Sequence, residues 1–266
     1  MSVKPTSTDP SLLVEHQDSI ALVTLNRPDR LNALTPEMGP AYARLLQDLD
    51  DDPGTRAIVV TGAGRGFCSG ADLSTLSGSI TDLKGYVSGQ DVSTLPIVAL
   101  TLGTPIVTAI NGPCAGIGFV LAVSADARFV HPDATMSTTF ARLGLVAEYG
   151  IAWLLPRLIG LPAATDLLIT GRTISGARAG ELGLAHVTTD PVGAALEWAA
   201  DVAASSSPAS VATMKRQLMA ADAQVLAEAV AASLVEMSAA FELPDLAEAL
   251  RARAEQRAPN FPPRTN

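Results

Sequence analysis

The chain has 266 residues, enough for one domain with a large core, or one domain and a helical extension. Its net charge of −9 argues against a nucleic-acid partner, which needs a basic footprint. Aromatic residues make up only 4%, so the core must be built mainly from Leu, Val, Ile and Ala.

Residues 1–11 are polar with prolines and carry no apolar signal core, which implies a cytoplasmic protein. Residues 19–25 are aliphatic and β-branched and predict a strand. A helix start follows at Thr35-Pro36-Glu37: an N-cap, a proline at the first position and an acid in the first turn. Met38, Tyr42, Leu45, Leu46 and Leu49 then recur on one helical face. Residues 50–54 predict a turn, 56–61 a buried strand, 80–102 a helix interrupted at Pro96, 105–110 a second buried strand and 127–130 another. Residues 92–125 hold no charge and by length could imitate a membrane helix. Pro96, Pro105, Asn111, Gly112 and Pro113 break that stretch, so buried strand, tight loop and buried helix are expected instead, with no membrane partner.

Strand, loop and helix alternate in this way as in α/β folds, where loops after strands carry function. From residue 191 the pattern becomes helical only. Alanine-rich helices are expected at 192–204, 210–221, 224–241 and 246–257, with Pro208 and Pro244 as dividers. The organisation expected is an α/β core over residues 1–190 and a helical region over 191–266. Leu226, Val230, Leu234 and Met237 form an apolar stripe of the kind that meets a core or another subunit.

Two glycine-rich loops directly follow predicted strands: Phe67-Cys68-Ser69-Gly70-Ala71-Asp72-Leu73 and Asn111-Gly112-Pro113-Cys114-Ala115-Gly116-Ile117-Gly118. Small residues let backbone N–H groups approach a ligand closely. A helix opening at Gly116 would add a favourable dipole for developing negative charge. Cys68 and Cys114 sit one in each loop, where a small apolar thiol packs well, and their spacing suggests no metal site. His16, His131 and His186 are scattered and form no triad or metal constellation. There is no strand-borne GxGxxG and no P-loop, so neither NAD nor ATP is implied.

These loops, with Gly144-Leu145-Val146-Ala147-Glu148-Tyr149-Gly150, resemble the crotonase (enoyl-CoA hydratase/isomerase) superfamily over nearly the whole chain. The resemblance implies a crotonase-like spiral of ββα units with a C-terminal helical region that packs in a homotrimer or a dimer of trimers. It implies an acyl-CoA thioester as substrate, with coenzyme A part of the substrate and no separate cofactor. The thioester oxygen would rest on the N–H groups of Ala71 and Ile117, the latter flanked by Gly116 and Gly118. Fixed donors of this kind stabilise an enolate by roughly 3–4 kcal/mol each. Ser69, Gly70, Asp72, Leu73 and Gly116 would line the substrate. Arg27, Arg30, Arg65 and Lys215 are candidate cations for CoA phosphates, Arg65 foremost. Asp29 and Ser74 stand where some relatives carry lysines.

The two glutamates of the family's hydratases would fall at Val120 and Phe140, which cannot move a proton. Glu148 matches instead the single glutamate of the Δ3,Δ2-enoyl-CoA isomerases, which takes a proton from C2 and returns it to C4. Val120, Phe140 and Trp153 would give an apolar surround, which raises a carboxyl pKa toward neutrality and suits such a shuttle. Glu148 also suits a first helical turn, where acids are favoured. An isomerase is therefore the leading expectation. A hydratase using Glu148 alone, or an acyl-CoA-binding protein without catalysis, are the alternatives.

Overall fold

The structure, a computed structural model, describes residues 6–72 and 92–264. Its main sheet has six strands in the order β1 (Leu12–Gln17), β2 (Ile20–Leu25), β3 (Ala57–Gly62), β4 (Ile106–Ile110), β6 (Ala127–Val130) and β9 (His186–Val187). Only the β1–β2 pair is antiparallel; the others run parallel. A three-stranded second sheet joins β5 (Cys114–Ala115), β7 (Thr135–Ser137) and β8 (Thr173–Ser175). A main-sheet strand is thus followed by a short strand of the second sheet, twice over: β4 by β5, and β6 by β7.

Side-chain alternation sends each central strand into two cores. Val23, Ile58, Val60, Ile106 and Ile110 meet Met38, Tyr42, Leu45, Leu46 and Leu49 of α1 (Met38–Asp51), and Phe119 and Leu121 of α2 (Ile117–Val123). Ile20, Leu22, Ala57, Val59, Val107 and Ala109 form the other face. That face is covered by Ala195 and Ala199 of α5 (Pro191–Ser205), whose small side chains admit close packing. Burial on both faces explains why β3 and β4 are continuous apolar runs. The helical region expected from residue 191 thus begins inside the core.

Helix α1 begins at Met38 with Glu37 as its N-cap, so the start expected at Thr35 is corrected by two residues; Thr35 Oγ1 still accepts the Met38 N–H at 3.2 Å. Helix α3 (Ile151–Thr170) bends at Gly160, where φ is +76°; α4 (Gly176–Glu181) follows β8. The last helices are α6 (Pro208–Ala220), α7 (Leu226–Phe241) and α8 (Pro244–Ala254). Pro208 and Pro244 each occupy a first helical position, where the missing N–H costs nothing. The helix expected at 80–102 is corrected over its described part. Residues 92–102 form two single 3-10 turns, Val92–Thr94 and Val98–Leu100, because Pro96 cannot continue a helical ladder. No described helix is long and apolar enough to cross a membrane.

Candidate active site

Strands β3 and β4 are parallel, so the loops that leave them emerge at the same end of the sheet. Backbone pairing stitches the loops together. Cys68 N donates to Pro113 O at 3.1 Å and Ala115 N to Cys68 O at 2.9 Å, making a parallel bridge between Cys68 and Cys114. On its other side the first loop pairs with Leu34: Leu34 N donates to Gly70 O, and Asp72 N to Leu34 O, both at 2.8 Å. Leu34 thereby engages the groups flanking Ala71, and the Ala71 N–H faces away from it. Two asparagines hold the strand ends. Asn32 Nδ2 donates to Ala63 O and Gly66 O, and Asn111 Nδ2 to Gly62 O and Gly64 O.

Glycine is required where the loops touch. Gly70 (φ +111°) and Gly116 (φ +54°) abut: a Cβ on Gly116 would lie 3.8 Å from Gly70 Cα. A Cβ on Gly118 would sit 2.2 Å from Cys68 O. Gly116 opens α2, so Ile117 N is an unpaired first-turn donor. Among the described residues neither the Ala71 nor the Ile117 N–H donates a hydrogen bond. Both thiols are buried within this stitching, and burial pushes Cys68 up to about 12 and Cys114 well above its ordinary value. They are packing groups, not nucleophiles.

Glu148 lies on a third segment, which pairs with the second loop further upstream. Gly116 N donates to Ser137 O of β7 at 3.1 Å, and the chain then passes through Thr139 and a 3-10 turn, Phe140–Leu143, to Glu148. The Glu148 carboxylate is half-buried and has no hydrogen bond or ion pair among the described residues. Desolvation raises its pKa above the ordinary 4.5. Tyr149 and Gly150 after it are both left-handed, with φ of +49° and +72°, before α3 begins. Val120 and Phe140 are fully buried in the main core and offer no polar atom.

This combination matches known proteins along the length of the chain. The family model for enoyl-CoA hydratase/isomerase matches residues 15–264. A probable enoyl-CoA hydratase of Mycobacterium tuberculosis is 39% identical over 217 residues, 78% of this chain and 82% of that protein. Among solved structures, a probable enoyl-CoA hydratase/isomerase from Mycobacterium abscessus is 34% identical with a TM-score of 0.85, covering 95% of this chain and 99% of that one. An enoyl-CoA hydratase from Bacillus anthracis is 27% identical with a TM-score of 0.88 over the same shares. The chain belongs to the enoyl-CoA hydratase/isomerase family. Its fold is the crotonase fold, and it is an enzyme of that family.

The other residues expected at this enzyme's site divide sharply. Gly70 and Gly116 meet, as described, and Ser69 Oγ turns to Arg30 O at 3.4 Å. Arg30 and Arg65 are exposed and make no side-chain bond or ion pair among the described residues. Arg27 and Asp72 are instead spent on each other, 2.7 Å apart and largely buried, and Arg27 also donates to Ala33 O. Lys215 is a correction. Its Nζ pairs with Asp126 at 2.7 Å and donates to Thr104 O at 2.9 Å. Thr104 precedes β4, so Lys215 stands at the end of the sheet opposite the loops. Trp153 also differs: the Arg157 guanidinium lies 3.8 Å over its ring, so that face is already covered on the surface of α3. Leu73 lies outside the described residues.

Thr139 is a residue that sequence reasoning does not single out. It is β-branched yet left-handed (φ +54°), a conformation that costs such a side chain roughly 1–2 kcal/mol. Its Oγ1 is 3.4 Å from where a Gly116 Cβ would stand. No sequence motif marks it; only the backbone angle and the approach of β7 to the second loop reveal it.

Proposed function

We propose that this family member is an acyl-CoA isomerase that moves a 3-enoyl double bond into conjugation with the thioester. The observation that carries the reading is Glu148, half-buried and without a side-chain bond or ion pair among the described residues, while the two hydratase positions hold the apolar Val120 and Phe140. A hydratase that positions water with two carboxylates lacks the second one here, and Asp72 is committed to Arg27. A proton shuttle needs only one group, base first and acid second.

In this reading the thioester oxygen rests on the N–H groups of Ala71 and Ile117, which stabilise the dienolate. Glu148 removes a proton from C2 and delivers it to C4. Arg30 and Arg65, exposed and without a side-chain partner among the described residues, attract the CoA phosphates. The working form is a trimer or a dimer of trimers in which the exposed stripe of α7 is covered. Glu148→Gln should abolish turnover while leaving acyl-CoA affinity within about threefold, since the oxyanion donors are unaltered. Turnover surviving in that variant removes Glu148 from the mechanism.

Hydration of a 2-enoyl-CoA, with Glu148 activating water alone, is the second reading. The hydratase names of the relatives favour it.

A further inference from the structure

The strained residue of the acid segment is Thr139, and its surroundings fix it in place. Thr138 Oγ1 donates to Leu167 O at 2.8 Å, Arg142 N donates to Thr139 O at 3.0 Å, and Gly171 packs against Thr139 Cα. Backbone strain that the surroundings hold in place is characteristic of functional positions. A β-branched side chain is a poor choice for this conformation unless the side chain itself is used. The Thr139 hydroxyl has no hydrogen-bond partner among the described residues and is partly exposed. It lies against Gly116, the residue before the Ile117 donor, where Gly116 in turn abuts Gly70, the residue before the Ala71 donor.

We propose that Thr139 is a substrate-contacting residue whose hydroxyl gives a third hydrogen bond to the thioester oxygen held by Ala71 and Ile117. This rests on the oxyanion reading of the two loops. A rotatable hydroxyl can follow that oxygen as charge develops on it, and a donor at such an oxygen is felt in the rate. Phe140, its neighbour, is buried and supplies no polar group, and the Thr138 hydroxyl on the other side is used on Leu167 O, which leaves the Thr139 hydroxyl at this point.

The test binds [1-13C]butanoyl-CoA, which lacks a double bond, to wild type, Thr139→Val and Thr139→Ser, and reads the thioester carbonyl band by infrared difference spectroscopy. Valine keeps the β-branch and removes the hydroxyl; serine does the reverse. The wild type should shift the band to lower wavenumber. Thr139→Val should lose part of that shift and about tenfold or more in turnover on whichever enoyl-CoA the wild type converts. Thr139→Ser should keep both. An unchanged shift and rate in Thr139→Val overturns the proposal. Equal losses in both variants also overturn it, because they report backbone geometry rather than the hydroxyl. No shift in the wild type defeats the oxyanion reading itself, and the Thr139 role with it.

Discussion

Glu148 has a distinctive titration. Burial raises its folded-state pKa above 4.5. The carboxylate must be ionised to accept a proton, so kcat/KM should rise with pH through a midpoint above 4.5. Linkage adds a second signature. Between the unfolded and the raised folded pKa the native state holds more protons, so native stability falls as pH rises through that window. Glu148→Gln should lack this fall. Urea midpoints of the two proteins should therefore diverge, with the variant the more stable, on going from pH 4 to pH 8; convergence would mean that the carboxylate is not desolvated. Glu148 and the loop glycines were legible in the sequence because each motif is contiguous. The ion pairs of Arg27 and Lys215 were not legible, because their partners, Asp72 and Asp126, lie 45 and 89 residues away, and only folding brings them together.

At the scale of elements, the site depends on how closely the two loops and α2 can approach. Gly118 lies in the first turn of α2, where alanine would ordinarily add up to about 1 kcal/mol of helix stability. Here its Cβ would meet Cys68 O at 2.2 Å and Cys68 Cβ at 2.8 Å, and the backbone carbonyl cannot move without breaking its bond to Ala115 N. Overpacking should win: Gly118→Ala is expected to lose about 1–3 kcal/mol by urea denaturation, with a larger fractional loss of activity. A neutral or stabilising result would show that the loops are not tightly stitched. The central strands and the last four helices were readable from apolar runs and from proline punctuation. β5, β7 and β8 were not, because strands of two or three residues are defined by their partners rather than by any periodicity. β1 was missed because its exposed edge position leaves it polar at alternate residues.

For the whole molecule, the dominant unbalanced feature is α7. No residue of this helix is buried, and Leu226, Leu234 and Phe241 are 82%, 66% and 62% exposed. Exposed apolar side chains on one helix are the feature that the proposed subunit contact would cover. Leu226→Glu with Leu234→Glu should yield monomers by sedimentation while keeping the secondary structure of the core, because the second face of the main sheet is covered by α5 and α7 contributes no buried residue. Unchanged association would place the subunit contact elsewhere. The stripe was visible in the sequence, but whether it faced the core or a partner depended on packing that periodicity does not encode.

The most direct measurement is a paired assay on trans-3-hexenoyl-CoA and trans-2-hexenoyl-CoA, following the conjugated enoyl thioester by absorbance. Conjugation should appear from the first substrate, with little water added to the second. Hydration of the second without isomerisation of the first would contradict the proton-shuttle role and leave Glu148 as the activator of water.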